Sequence, residues 1–492
     1  MQWPVNRLWV VVFLQASSAM ASSATSESTG NENLKAEPMA ETTPRSATSD
    51  DDGRARWSAD FGLLEEYRLR IVSHALADRG PLGQPVSPNQ ASDQRLRLLG
   101  DGQITGMDDR FHAVMSGALW LDLDGAGKPG TGSLFATQYD NAQPWWAVYA
   151  LSAQWQGKKA LDYVRVGRQA SEHGMPLTFD GAALSLRVIG RELELFGFGG
   201  KTVHFFESMP GLFENWVAST GAVLRPTGNS KIEVDTRLIR EPTANADRSE
   251  LDPITNHSYG VAATLGSDSL QSKVYARGID RHPSHVGGAF MFQSERLSLG
   301  LDARVHGQLQ TLGEVVESEN PYYSILGRSL PYVRFRFELW KDFELGRLTR
   351  FDVHVGWRGR QVVGYPEQQF NRNTGALYLN AQLEDLVRKG LFLGGSVEHA
   401  YVPYIVHGER MLTLGGFAGY RNLRLKAELG SYFQQYKLVY YQTAEELHNT
   451  RTAYGSLGCR VTDWLDLLGR YEIDIFDRYL QSFFFSARQE LK

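Results

Sequence analysis

The chain is poor in cysteine, with Cys459 alone among 492 residues. A disulfide framework within the chain is therefore excluded, and Cys459 is interpreted as a small residue on a strand. Long apolar runs are also scarce, because no stretch reaches the ~18–20 residues that a membrane-spanning helix needs. The net charge is only −5, from 51 Lys+Arg and 56 Asp+Glu, so nothing in the composition favours nucleic acid as a partner.

The first 56 residues are interpreted as export and linker segments. Arg7 precedes an apolar stretch from Leu8 to Leu14, and Ala19-Met20-Ala21 forms an A-x-A cleavage site. This pattern predicts a signal peptide over 1–21, cleaved near Ala21. Residues 22–56 are rich in Ser, Thr, Glu and Ala and hold few large apolar side chains, which predicts a disordered periplasmic linker.

From Trp57 to the end, the chain alternates charged and apolar residues with a period of two. In "YVRFRFELW" (332–340), one set of positions carries Arg334, Arg336 and Glu338, and the other set is aliphatic and aromatic. The same alternation recurs in "LDARVHGQL", "FDVHVGWRGR" and "NLRLKAELG". Strand side chains alternate between faces, so each of these segments has one apolar and one ionised face.

Short turns and long connections follow one another along the chain. Segments such as 157–159, 228–230 and 294–296 are short, whereas 78–93 and 313–331 are long. Short turns on one rim and long loops on the other are typical of outer-membrane barrels. We therefore predict an all-β fold: a large transmembrane antiparallel up-and-down β-barrel over 57–492, with about 18–22 strands. The expected location is the outer membrane of a Gram-negative bacterium, with turns in the periplasm and loops outside.

In such a barrel the charged face turns inward, toward water. The residues predicted to line the pore are Arg304, Arg334, Arg336, Glu338, Asp352, Arg358, Arg360, Arg424, Lys426 and Glu428, with Asp235 and Asp302 among further acids on this face. Rows of both signs favour polar or zwitterionic solutes over ions of a single sign. The alternative is that these charges only pair with one another and hold the wall rigid.

The stretch "LDYVRVGRQASEHGMPLTFDGAALSLRV" (161–188) resembles an element of porin-like channels, including the alginate-export group. The matching positions are Gly167, Arg168, Gln169, Phe179, Asp180 and Gly181. The resemblance implies an 18-stranded channel. It does not identify the solute.

The predicted function is a porin-like channel for diffusion or export of polar or charged solutes, with no catalytic activity. Expected partners are membrane lipid, lipopolysaccharide, and small polar solutes or a polysaccharide. No motif for a cofactor or a metal is found. Two alternatives stay open: a barrel hydrolase using His257 beside Ser258, and a structural or adhesion barrel whose loops plug the lumen. Trp145, Trp146 and Trp155 are expected in aromatic girdles at the membrane interfaces.

Overall fold

The structure is a computed structural model, and it describes most of the chain after residue 56. The described residues are 57–72, 92–123, 145–174, 177–190, 192–203, 215–241, 254–267, 269–280, 282–307, 331–345, 349–363, 373–401, 410–441, 444–474 and 480–491. The signal peptide and linker predicted for 1–56 lie outside these ranges and stay predictions. Within the described ranges, no helix is long and apolar enough to cross a membrane.

The described residues form 22 strands in chain order. They are β1 (Trp57–Val72), β2 (Ser92–Gly106), β3 (Phe111–Asp122), β4 (Trp145–Gln156), β5 (Leu161–Ala170), β6 (Thr178–Ile189), β7 (Leu193–Thr202), β8 (Trp216–Thr227), β9 (Ser230–Glu241), β10 (Ile254–Gly266), β11 (Leu270–Ile279), β12 (His282–Gln293), β13 (Leu297–His306), β14 (Tyr332–Leu345), β15 (Thr349–Val362), β16 (Thr374–Glu384), β17 (Leu391–Tyr401), β18 (Arg410–Arg421), β19 (Leu425–Tyr441), β20 (Ala444–Thr462), β21 (Leu465–Asp474) and β22 (Leu480–Leu491).

Neighbouring strands pair antiparallel, and β1 pairs with β22 from Phe61↔Leu491 to Val72↔Leu480, which closes the sheet into a barrel. Closure leaves no unpaired edge strand. The predicted all-β barrel of about 18–22 strands is confirmed at 22. The 18 strands implied by the family resemblance are wrong for this chain.

The two rims differ in the length of their connections. Every connection after an even-numbered strand has two to six residues, and we call this end the short-turn rim. The connections after odd-numbered strands form the long-loop rim and reach 25 residues at 307–331. Two of them depart from the predicted alternation, because only two residues separate β11 from β12 and β19 from β20.

Burial along β9 is the reverse of that in a water-soluble sheet. Val234 is 51% exposed and Leu238 is also exposed, whereas Asp235 is 4% exposed and Arg237 is buried as well. The charged side chains pack against one another on the inner face of the barrel, and the apolar side chains cover its outer face. An apolar exterior of this kind is stable only in contact with lipid.

Aromatic residues mark both ends of β4 on the outer face. Trp146 is exposed near the long-loop rim, and Trp155 is exposed near the short-turn rim, where it pairs with Phe111. These positions agree with the predicted aromatic girdles. The side chain of Trp145 lies outside the described residues.

Val234 tests which face meets lipid. Val234→Arg places a charge on the outward apolar face near the middle of β9, and we expect the free energy of unfolding in lipid bilayers to fall by about 2–4 kcal/mol. Denaturant titration of the protein refolded in liposomes measures this change. Val234→Leu is the matched control and should stay near the parent value; equal stability of the two variants would contradict a lipid-facing position.

Candidate functional site: the inner wall and an inward-folded segment

The strand register places nine of the ten predicted pore-lining residues on one face of the sheet. They are Arg304 on β13, Arg334, Arg336 and Glu338 on β14, Asp352, Arg358 and Arg360 on β15, and Lys426 and Glu428 on β19. Asp235 and Asp302, also expected there, share this face. It is the face on which charged side chains are buried, so we describe it as the inner wall.

Arg424 is the exception. It was expected on a strand, but it lies exposed in the turn before β19. The side chain of Asn422 accepts hydrogen bonds from the backbone N–H groups of Arg424 and Leu425, both at 2.8 Å, and this closes the turn. Side chains of Asn commonly cap turns in this way. Regular alternation therefore begins at Leu425, and Arg424 does not belong to the wall.

Arginines lie opposite one another on adjacent strands of the inner wall. Arg334 pairs in register with Arg304 on one side and with Arg360 on the other. Like charges in direct opposition are destabilising. Asp302 offsets part of this repulsion, because its carboxylate lies 3.2 Å from Arg304 Nε and 3.7 Å from Arg334 Nη2. The row is therefore basic but partly neutralised.

Carboxylates also pair with cations elsewhere on the wall. Examples are Arg358 with Glu398 at 3.0 Å, Arg350 with Asp342 at 2.7 Å, Lys426 with Glu428 at 3.3 Å and Arg470 with Glu472 at 2.7 Å. These contacts hold side chains of both signs along the lumen. They fit both interpretations of the sequence: charges of both signs that act on a solute, and charges that only pair with one another and hold the wall rigid.

The residues of the family-like motif divide between the two faces. Gly167, Gln169, Phe179 and Gly181 follow the inward phase of β5 and β6, whereas Arg168 and Asp180 follow the outward phase. The guanidinium of Arg168 donates two hydrogen bonds of 2.6 Å to the carboxylate of Asp180 and a third, of 2.8 Å, to the carbonyl of Val148. This cluster joins three strands near the long-loop rim and is not part of the inner wall.

The connection between β5 and β6 contacts the inner wall instead of projecting from the rim. The ring of His173 stacks on Phe196 of β7 at 4.1 Å between centroids. Its Nε2 lies 3.1 Å from Glu194 Oε1, and its Nδ1 lies 3.8 Å from Glu233 Oε2. All three partners are buried residues of the inner wall. We call residues 171–177 the inward segment; of these, 175 and 176 are outside the described residues.

Hydrogen bonds to the backbone of His173 and Gly174 also attach the inward segment to the wall. The N–H of Gly174 donates to the carboxylate of Glu233, and Arg237 Nη2 donates to the carbonyl of His173 at 3.4 Å. Gly174 has φ +73°, and a Cβ there would lie 2.8 Å from Arg237 Nη2. Glycine is favoured at this position because other residues would be strained and crowded.

A buried ion pair supports this contact from the neighbouring strands. Arg277 on β11 donates to both carboxylate oxygens of Asp235 on β9, at 2.9 and 3.0 Å. The pair reaches across Gly260 of β10, where a Cβ would lie 2.9 Å from each partner. Removing one member of such a pair would leave a buried uncompensated charge. The ion pair thus cross-links β9 and β11 in the part of the wall that the inward segment contacts.

An apolar cluster lies where the inward segment meets the wall. Its members are Leu177, Phe179, Phe196, Phe198, Val217, Val223 and Ile239. Sequence reasoning missed the inward segment, although a signal was present. Phe196, Phe198, Val217 and Val223 occupy inward positions that carry charges on other strands. An apolar patch in that phase needs a covering segment to exclude water.

Charge on His173 is favoured by its surroundings. Burial alone lowers the pKa of His173, but the carboxylates of Glu194 and Glu233 outweigh it and raise this pKa from 6.5 to about 9. At neutral pH the imidazolium therefore forms ion pairs with two strands of the wall. Because the pKa is raised on folding, this stabilisation is complete below pH 6.5 and is lost as the pH rises through 9.

The hydrolase alternative depends on His257 and Ser258 acting together. His257 lies exposed on the outer face, where its Nε2 is 2.6 Å from Thr236 Oγ1, whereas Ser258 is buried on the inner wall beside Arg277. The two side chains point to opposite faces, as strand geometry requires. Among the described residues, no group of three or more His, Cys, Asp or Glu is arranged to hold a metal ion.

No family model and no curated protein matches this chain. Solved structures similar to it include OccAB3 of Acinetobacter baumannii, with 10% identity, a TM-score of 0.42 and coverage of 88% of this chain and 99% of that one. A BenF-like porin from Pseudomonas fluorescens has 8% identity, a TM-score of 0.44 and coverage of 88% and 98%. OccK2 of Pseudomonas aeruginosa, solved with glucuronate, has 11% identity, a TM-score of 0.40 and coverage of 88% and 96%. Likenesses this distant carry no argument about function, and the resemblance to alginate-export channels stays a prediction.

The titration of His173 tests the ion pairs of the inward segment. In NMR spectra of the histidine-labelled protein in micelles, one of the 12 imidazoles should titrate near pH 9 and should vanish in His173→Gln. His257→Gln is the matched control, because His257 lies on the outer face and its loss should leave that signal in place. A His173 midpoint at or below 6.5 would show that the two carboxylates do not contact it.

Proposed function

We propose that the chain is an outer-membrane channel through which small polar or charged solutes cross the outer membrane of a Gram-negative bacterium. The observation that carries the proposal is the inner wall, which keeps arginines and carboxylates inside a closed barrel of 22 strands. Barrels of about 16–18 strands already leave an aqueous channel. Charges held inside such a barrel stay solvated only if water enters the lumen.

The inward segment supports a channel that is narrowed at one level. It contacts Phe196, Glu194 and Glu233 on wall strands β7 to β9. The segment therefore occupies part of the lumen along these strands and reduces the open cross-section there. The arginine row of β13 to β15 lies about six strands further round the same wall. A solute would therefore pass both the inward segment and this basic row. This arrangement favours solutes with groups that can accept hydrogen bonds.

Lipopolysaccharide is the partner we propose for the outer face near the long-loop rim. The register turns Arg168, Lys201, Arg240, Arg410 and Arg451 outward there, with Asp180 as a neighbouring acid. Cations at this level complement phosphate groups of an anionic leaflet. The signal peptide with cleavage near Ala21 remains the expected route of export.

The second candidate function, a plugged structural or adhesion barrel, is favoured by one observation only. The inward segment enters the lumen, and 22-stranded outer-membrane transporters have plugged lumens. The two candidates differ in conductance, since a plugged barrel passes no steady current.

Single-channel recording of residues 22–492 in planar bilayers tests the proposal. We expect stable conductance steps and, under a salt gradient, a reversal potential set by the lumen charges. The double variant Arg334→Ala/Arg336→Ala should shift that potential toward cation preference, because it removes positive charge from the inner wall.

Phe335→Ala is the matched control, since Phe335 lies between the two arginines and points outward. It should leave both the conductance and the reversal potential unchanged. A folded barrel without conductance would contradict the channel and favour the plugged barrel.

A further inference from the structure

Trp340 interrupts the polar pattern of the inner wall. Exposed large apolar side chains on regularly paired strands lie almost entirely on the outer face of the described barrel. Trp340, 38% exposed, and Met291, 43% exposed, are turned inward. An indole exposed to lumen water is unfavourable, because its apolar surface is not removed from water. A solute that covered it would remove this cost.

Aromatic rings on two adjacent strands hold the indole in place. Trp340 stacks on His354 of β15 with 4.3 Å between centroids and 11° between planes. His354 in turn meets Tyr378 of β16 edge to face at 5.1 Å. The hydroxyl of Tyr378 donates to Glu338 Oε1 at 2.8 Å, across Gly356. These contacts occupy one side of the indole, and the exposed part of its surface faces the lumen.

A shallow recess adjoins the indole on its other flank. Trp340 pairs with Ser298 on β13, and the next inward position of that strand is Gly300. A Cβ at Gly300 would find only Glu338 Cβ within 4 Å, at 3.8 Å, so the space above it is open. Met291 pairs with Gly300 from β12 and closes the far side. The recess therefore has apolar walls and a small polar floor.

Hydrogen-bonding groups of both kinds surround the recess. Asp342 lies two residues after Trp340 and Arg336 lies four residues before it, both on the same face. The side chain of Arg336 is 60% exposed. Asp342 accepts a hydrogen bond of 2.7 Å from Arg350 and retains further acceptor capacity. Donors and acceptors thus border an apolar platform, as in small-molecule sites of proteins.

From this arrangement we infer that Trp340 is a stacking platform for a pyranose ring of a carbohydrate passing through the lumen. A pyranose has a flat face of C–H groups that packs on an indole, and a rim of hydroxyls that both donate and accept hydrogen bonds. A small ion would leave the indole uncovered. Arg336 pairs with Glu338 and Asp342 with Arg350, and a purely apolar solute would not use the donor and acceptor capacity that these two side chains retain. The inference rests on the proposed channel function and names a solute class for it.

Block of the ion current by maltotriose tests this platform. Maltotriose added to one side of the bilayer should interrupt the current reversibly, and Trp340→Ala should raise the half-blocking concentration about tenfold. Trp340→Phe should retain part of the block, because it keeps an aromatic face. Polyethylene glycol of similar mass is the control for size, and its effect should be the same in all variants.

Trp357→Ala is the matched control for loss of an indole. Trp357 lies on the adjacent strand β15 but points outward, so its removal should leave block by maltotriose unchanged. A conducting channel that maltotriose does not block, or blocks equally in Trp340→Ala, would overturn the platform and leave the channel function intact.

Calorimetry in detergent micelles separates failure of the platform from failure of the channel. If the barrel does not conduct, the proposed function fails, and heat of maltotriose binding that disappears in Trp340→Ala would still support the platform. Absence of binding heat in a folded, non-conducting barrel would overturn both.

Discussion

Alternation of side chains along a strand is the constraint on which this structure depends. Successive residues point to opposite faces, so a closed sheet has one set of side chains inside and the other outside. In this chain the inside set is charged and the outside set is apolar, as Asp235 and Val234 show on β9. That assignment makes lipid the solvent of the exterior and water the solvent of the lumen.

Departures from the alternation mark the places where the lumen is specialised. Phe196 and Phe198 are apolar in an inward phase, and the inward segment covers them. Trp340 is apolar in the same phase, yet it remains exposed. The inward segment of the chain thus accounts for the apolar phenylalanines. The carbohydrate that we infer as a solute accounts for Trp340. His173 links the first to charge, because its imidazolium contacts carboxylates on two separate strands of the wall.

Much of the architecture could be predicted from the sequence because a period of two is a local property. The alternation at 332–340 and the difference between turns and loops were enough for the barrel, its size and most of its inner wall. Arg424 was misplaced because a turn capped by Asn422 delays the start of the alternation to Leu425, two residues later than the letters indicate. The inward segment was missed because its contacts join residues about 20 to 65 positions apart in sequence. The apolar inward positions at 196, 198, 217 and 223 were a local sign of it.

The inside-out assignment is tested most directly by cysteine labelling along β14. In a Cys459→Ser background, single cysteines at positions 333–339 are exposed to a charged maleimide after reconstitution into liposomes. We expect rapid labelling at Arg334→Cys, Arg336→Cys and Glu338→Cys, and slow labelling at Val333→Cys, Phe335→Cys, Phe337→Cys and Leu339→Cys. Labelling without a period of two, or with the opposite phase, would contradict a water-filled charged lumen inside a lipid-facing barrel.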